Sequence, residues 1–130
     1  MDMQTTPILA LSADAGFHAD VEAVLSRERY AVTSRQEGLV GLNGSATTLA
    51  ARHDCVIFDL PEADAEARAA IEALDRNRAP GSLLIAVTGA DLTLATARAL
   101  RKTGVDEVIP RDALRTEMAG EIDAWRQRRA

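Results

Sequence analysis

Asp54-Cys55-Val56-Ile57-Phe58-Asp59-Leu60-Pro61 decides how this chain folds. Its apolar core has strand length, with β-branched and aromatic side chains, and it lacks the polar alternation of a half-solvated strand. A sheet covered on both faces produces such a run. The run ends in one carboxylate and turns at a proline, which cannot extend a hydrogen-bonded ladder. Open α/β sheets place their working groups outside the carboxyl ends of their strands, so Asp59 stands where such a group belongs. Two later runs end alike: Leu83-Leu84-Ile85-Ala86-Val87 in Thr88-Gly89, and Val105-Asp106-Glu107-Val108-Ile109 in Pro110-Arg111. An aspartate, a threonine and a cation at the ends of successive strands suggest a phosphoryl-receiving site.

Working outward, the chain alternates strand and helix signals. Ile8-Leu9-Ala10-Leu11, after Pro7, predicts a first strand. Phe17, Val21, Val24 and Leu25 recur at helical spacing and predict a helix to about Arg29. Tyr30-Ala31-Val32-Thr33 predicts a second strand. Gly38, Gly41 and Gly44 then break the chain before a short helix expected over residues 46–52. The glycine spacing there has no lysine to complete a phosphate loop and no dinucleotide fingerprint. After the third strand, Cys55 to Asp59, Pro61 with Glu62, Asp64 and Glu66 predicts a helix start, proline early and carboxylates in the first turn. Ile71 and Leu74 form its inner face. Leu92, Ala95, Ala99 and Leu100 predict a fourth helix, ended by Gly104. Leu114, Met118, Ile122 and Trp125 stripe the last one.

Strands alternating with helices predict parallel βαβ units, and right-handed crossovers place helices on both faces of one sheet. The expected architecture is a three-layer α/β sandwich on a five-stranded parallel sheet of order 2-1-3-4-5, one domain over residues 1–130. That order sets strands one, three, four and five side by side. It brings Asp59, Thr88 and Arg111 to one edge with the loop after Leu11.

Composition narrows the function. A hydrophobic content of 47% in 130 residues supports a packed core without disulfides or metal. Aromatics are only 3%, so the core is aliphatic and offers few surfaces on which bases could stack. A net charge of −5 repels phosphate backbones, and no nucleic-acid role is expected. The basic cluster Arg126, Arg128 and Arg129 reads as cations complementing a helix C-terminus. Cys55, alone, reads as a buried strand thiol, which fits a reducing cytoplasm. The N-terminal residues show neither a signal peptide nor a membrane span, so no membrane insertion is expected.

Through Ile8-Leu9-Ala10-Leu11, Val56-Ile57-Phe58-Asp59, Ala86-Val87-Thr88-Gly89 and Gly104-Val105-Asp106-Glu107-Val108-Ile109, the chain resembles the receiver domains of two-component signalling, of the CheY-like, flavodoxin-like fold. The resemblance covers essentially the whole length. It implies that Asp59 is the phosphoacceptor position, Thr88 the switch hydroxyl and Arg111 the place of the family's lysine. It also puts Ser12 and Ala13 where the family carries the acidic pair that binds magnesium. Phosphoryl transfer to a carboxylate joins two anions, and a divalent cation must neutralise the developing charge. Without the acidic pair, Asp14 and Asp59 are the remaining candidates to hold Mg²⁺; the other reading of Asp14 is a cap for the first helix. Arg111 keeps a charge that could pair with Asp59, but a guanidinium is not a compact ammonium. Pro61 follows Asp59 by two residues where the family spaces its proline by four, and Val108 replaces an aromatic that often couples the switch threonine to the output face.

These departures read as a degenerate receiver, a protein-interaction module rather than an enzyme. The alternative is a phosphorylatable receiver that takes phosphate on Asp59 with Mg²⁺. A flavin or nucleotide binder on the same fold is a third reading, opposed by the missing phosphate loop and the few aromatics.

The run Ala86-Val87-Thr88-Gly89-Ala90-Asp91, with Arg98-Ala99-Leu100-Arg101-Lys102-Thr103-Gly104-Val105-Asp106-Glu107-Val108-Ile109-Pro110-Arg111, is similar to the atypical receiver of TadZ/CpaE-type proteins of the Tad (Flp) pilus system. That resemblance implies a role in pilus assembly and localisation, a ParA/MinD-like ATPase domain or pilus components as partners, and a polar position. No Walker motif lies within these residues, so ATP binding is not expected of them. It further implies a homodimer through the last helices and fifth strand, where Arg98, Arg101 and Lys102 meet Asp106 and Glu107 and mix both signs.

Overall fold

All five strands predicted from the apolar runs form. The computed structural model describes residues 5–25, 29–38, 48–89 and 91–129. Within them lie β1 (Thr6–Leu11), α1 (Ala15–Val24), β2 (Tyr30–Arg35), β3 (Cys55–Leu60), α2 (Ala65–Asn77), β4 (Leu83–Thr88), α3 (Leu94–Thr103) and β5 (Glu107–Pro110). A 3₁₀ turn (Arg111–Ala113) then leads into α4 (Leu114–Arg129). The strands pair in parallel in the order β2-β1-β3-β4-β5, as expected.

Every residue of β4 is buried, which is why its sequence shows no alternation. Its side chains nevertheless alternate between two cores. Ile85 and Val87, with Ile8, Cys55 and Ile57 of the neighbouring strands, pack against Phe17 and Val21 of α1 and Leu114, Met118 and Ile122 of α4. Leu84 and Ala86, with Leu9, Leu11, Val56 and Phe58, pack against Ile71 and Leu74 of α2 and Leu100 of α3. Two separate helical layers thus cover one sheet. Each fully buried Leu, Ile or Phe contributes roughly 1.5–3 kcal/mol of apolar transfer. The Cys55 thiol is buried as expected, and desolvation pushes its pKa far up, with Asp106 and Asp54 adding to it.

Helix boundaries depart from the predicted ones for local reasons. α2 starts at Ala65 rather than at Pro61, because Asp64 accepts the Ala67 amide at 2.9 Å and becomes the cap. Pro61 and Glu62 remain in the loop. α3 starts after Thr93, whose hydroxyl accepts the Thr96 amide at 3.1 Å, and Leu92 stays outside. α1 ends at Val24, short of Arg29. Of the helix expected over 46–52, residues 48–50 are helical. Residues 46 and 47, with Gly41, Gly44 and Ala90, lie outside the described residues. No helix among those described is long and apolar enough to cross a membrane.

Candidate functional site

β1 delivers Ser12 to the carboxyl edge of the sheet, next to β3. Ser12 is 2% exposed, and its hydroxyl donates to Asp59 Oδ2 at 3.2 Å while accepting the Asp14 amide at 2.9 Å. The Ser12 carbonyl accepts from His18 Nε2 at 2.8 Å. Since a carbonyl can only accept, the His18 proton sits on Nε2. His18 is buried edge-on against Phe17, with ring centroids 5.6 Å apart.

Asp14 is the N-cap of α1: its Oδ1 accepts the Gly16 amide at 2.9 Å. Its Oδ2 lies 3.6 Å from Arg111. Arg111 does not pair with Asp59, which corrects the expectation drawn from its charge. The guanidinium stacks over Phe17 at 5.3 Å from the ring centroid and bonds Asp20 Oδ2 at 3.2 Å. Arg115 bonds the other oxygen of Asp20 at 2.7 Å and, with help from Arg111, holds that carboxyl below the usual carboxylate range. The 3₁₀ turn at Arg111–Ala113 leads this side chain towards α1. Strong cations and anions of the edge are thereby committed to one another, away from Asp59.

Thr88 reaches the same edge of the sheet but a different cleft. In register it faces Leu60, one position beyond Asp59. Asp59 lines a cavity of about 530 Å³ with Ser12, Asp14, Pro61 and Glu62. Thr88 lines another of about 340 Å³ with Gly89, Asp91, Leu92 and Thr96. Leu60 and Pro61 border both and form the wall between them. The three residues expected at one edge are there: Asp59 and Thr88 line adjoining cavities, and Arg111 is turned to Asp14 and Asp20.

As a donor set for Mg²⁺ these residues do not fit. The ion needs several oxygen ligands in a near-ideal octahedron. The Ser12 hydroxyl already donates its hydrogen bond to Asp59, and Asp14 is spent on a helix cap and an arginine. No three His, Cys, Asp or Glu side chains among the described residues gather around a point that could hold a metal. Asp59 is left as a carboxylate with a hydroxyl partner.

No family model matches this sequence, and no curated protein matches it. Solved structures do. The fold is that of CheY-like receiver domains, and CpaE pilus assembly proteins are among its structural neighbours. A CheY-like response regulator receiver domain from Methanospirillum hungatei, 20% identical, aligns with TM-score 0.68 over 96% of this chain and 99% of its own. A protein from Burkholderia pseudomallei described as pilus assembly-related is 25% identical, with TM-score 0.72 over 96% of this chain and 94% of its own. The pilus assembly protein CpaE from Caulobacter crescentus is 20% identical, with TM-score 0.72 over 92% and 98%.

Proposed function

We propose that this domain is an atypical receiver that works through protein contacts in pilus assembly and localisation, without taking phosphate on Asp59. One observation carries the reading: a serine hydroxyl lies 3.2 Å from Asp59 where the transfer chemistry needs a metal-binding carboxylate. The cation after β5 does not replace it, because Arg111 is held by Asp20 and Asp14. The likeness to proteins described by their role in pilus assembly, two of them 25% identical, supports the setting. The expected place of action is the cytoplasm near a cell pole, with a ParA/MinD-like ATPase domain or pilus components as partners.

The face of α3, β5 and α4 suits a contact with a second copy. Arg101 pairs there with Glu107 at 3.6 Å, and Arg98 and Lys102 are exposed beside it. Burial, and then repulsion from Glu121, raises the Glu107 pKa.

The test is intact mass after incubation with a small-molecule phosphodonor and Mg²⁺, with Asp59→Asn as control. No adduct on folded protein is expected. A phosphoryl adduct on the wild type alone would overturn the reading and establish the alternative, a phosphorylatable receiver; the open cavity beside Asp59 is the feature that favours it.

A further inference from the structure

Thr88 ends β4 only 6% exposed, and its Oγ1 has no hydrogen-bond partner among the described residues. A buried hydroxyl left unmade costs folding free energy, and native proteins keep few of them. Valine would fill the same volume without that cost. The hydroxyl therefore opposes stability where it stands, and it borders a cleft that a ligand can enter.

The cleft beside it holds about 340 Å³. Leu60, Pro61 and Leu92 give it apolar walls, and Asp91, exposed, stands at its rim. None of its lining residues is a cation. Glu62 and Asp64 follow on the same loop as Pro61, both exposed, in a chain whose net charge is −5. The groove continues between α2 and α3 as a smaller cavity of about 260 Å³ that shares Ala63 and Thr96 and is lined further by Arg68, Leu100 and the short side chains of Ala95 and Ala99. Those short side chains leave room for a backbone to lie close.

We propose that the Thr88 cleft receives a lysine or arginine side chain from a partner protein. The aliphatic stem lies against Leu60, Pro61 and Leu92. The charged head donates to Thr88 Oγ1 and to the Asp91 carboxylate, and the partner's backbone follows Ala95 and Ala99. A buried hydroxyl free to accept, apolar walls, an acidic rim and no lining cation together select this occupant over an acidic or purely apolar one. The proposal rests on the reading of the domain as a contact module, and names the chemistry of one contact.

Amide NMR of the full chain tests it, with the blocked peptide acetyl-Ala-Arg-Ala-amide as probe. Its norleucine analogue and putrescine serve as comparisons. The arginine peptide is expected to give saturable shifts at Thr88, Gly89, Asp91 and Thr96, at least about tenfold tighter than norleucine, as loss of a charge-assisted bond implies. Asp91→Asn should weaken binding about tenfold. Thr88→Val should lose it while lowering the unfolding equilibrium constant about fivefold, because the unmade hydroxyl is gone. Shifts that are absent, or equal for norleucine, overturn the proposal. Putrescine binding as tightly as the peptide overturns the partner-protein source. An adduct on Asp59 in the mass experiment strikes the contact-module reading; silence at the cleft without an adduct strikes only this one.

Discussion

Replacing Ser12 and Ala13 together by aspartates is expected to make the stability of this domain depend on magnesium. Ser12 is 2% exposed and lies 3.2 Å from Asp59. An aspartate there sets a second carboxylate against the first in a nearly buried position and removes the hydroxyl that now donates to it. Like charges so close cannot both ionise without cost. An uncompensated buried charge costs on the order of 2–4 kcal/mol, so the metal-free double variant should lose about that much. Mg²⁺ supplies the missing counter-charge and binds the folded state alone. At a hundredfold excess over its Kd it should return about 2.7 kcal/mol. Urea unfolding with and without millimolar Mg²⁺ measures this. The wild type should show no difference between the two conditions, and the variant a clear one. A wild type stabilised by Mg²⁺ would show that Ser12 and Asp14 do make a metal site. A variant indifferent to Mg²⁺ would show that something besides the missing acids disables it, and the wall formed by Leu60 and Pro61 would be the next suspect.

The fold was legible because its signals are collective. The β4 run is apolar throughout since all six of its residues are buried, and no single side chain decides it. Ile71 and Leu74, or Met118 and Ile122, report a face through spacing that survives changes at other positions. The strand ends were legible for the same reason, and Asp59, Thr88 and Arg111 do sit at one edge. What each does there depends on one torsion or one neighbour. Thr88 stands beside Leu60, one register position beyond Asp59. Arg111 finds Asp20, on α1 and 91 positions away in sequence, through a 3₁₀ turn that no pattern announced. His18 reads as an unremarked helix residue, and only the Ser12 carbonyl beside it reveals that it braces the loop under Asp59. For Asp14 both readings were available from sequence. The choice fell to geometry, since its oxygen meets the Gly16 amide at 2.9 Å.

Gly104→Ala is expected to destabilise the domain by about 2–4 kcal/mol, and the reason lies in how β5 is held. Gly104 caps α3 with φ of 128°, a backbone that side-chain-bearing residues rarely adopt and that costs roughly 1–3 kcal/mol. A Cβ there would lie 2.6 Å from Asp75 Cγ. Swinging the Asp75 carboxylate away relieves only part of the clash, since its own Cβ lies 2.9 Å off, and the carboxylate pairs with Arg78 at 3.5 Å, while Arg78 also donates to the Gly104 carbonyl at 3.0 Å. Arg78 reaches Asp106 at 3.0 Å, and Asp106 in turn accepts the Leu84 amide at 2.9 Å. Relief of the clash therefore pulls on the junction that sets β5 beside β4, and with it the position of Arg111. Gly81 separates the causes. Its φ is 74°, and a Cβ there would meet nothing within 4 Å, so Gly81→Ala should cost only the backbone part, about 1–2 kcal/mol. Urea midpoints of both variants, and of Gly104→Ala combined with Asp75→Ala, complete a double-mutant cycle. If Asp75→Ala returns about half of the loss, the steric route through Arg78 is correct. If it returns nothing and the two glycine variants cost alike, the strain belongs to the backbone alone, and the Arg78 network is a bystander to the placement of β5.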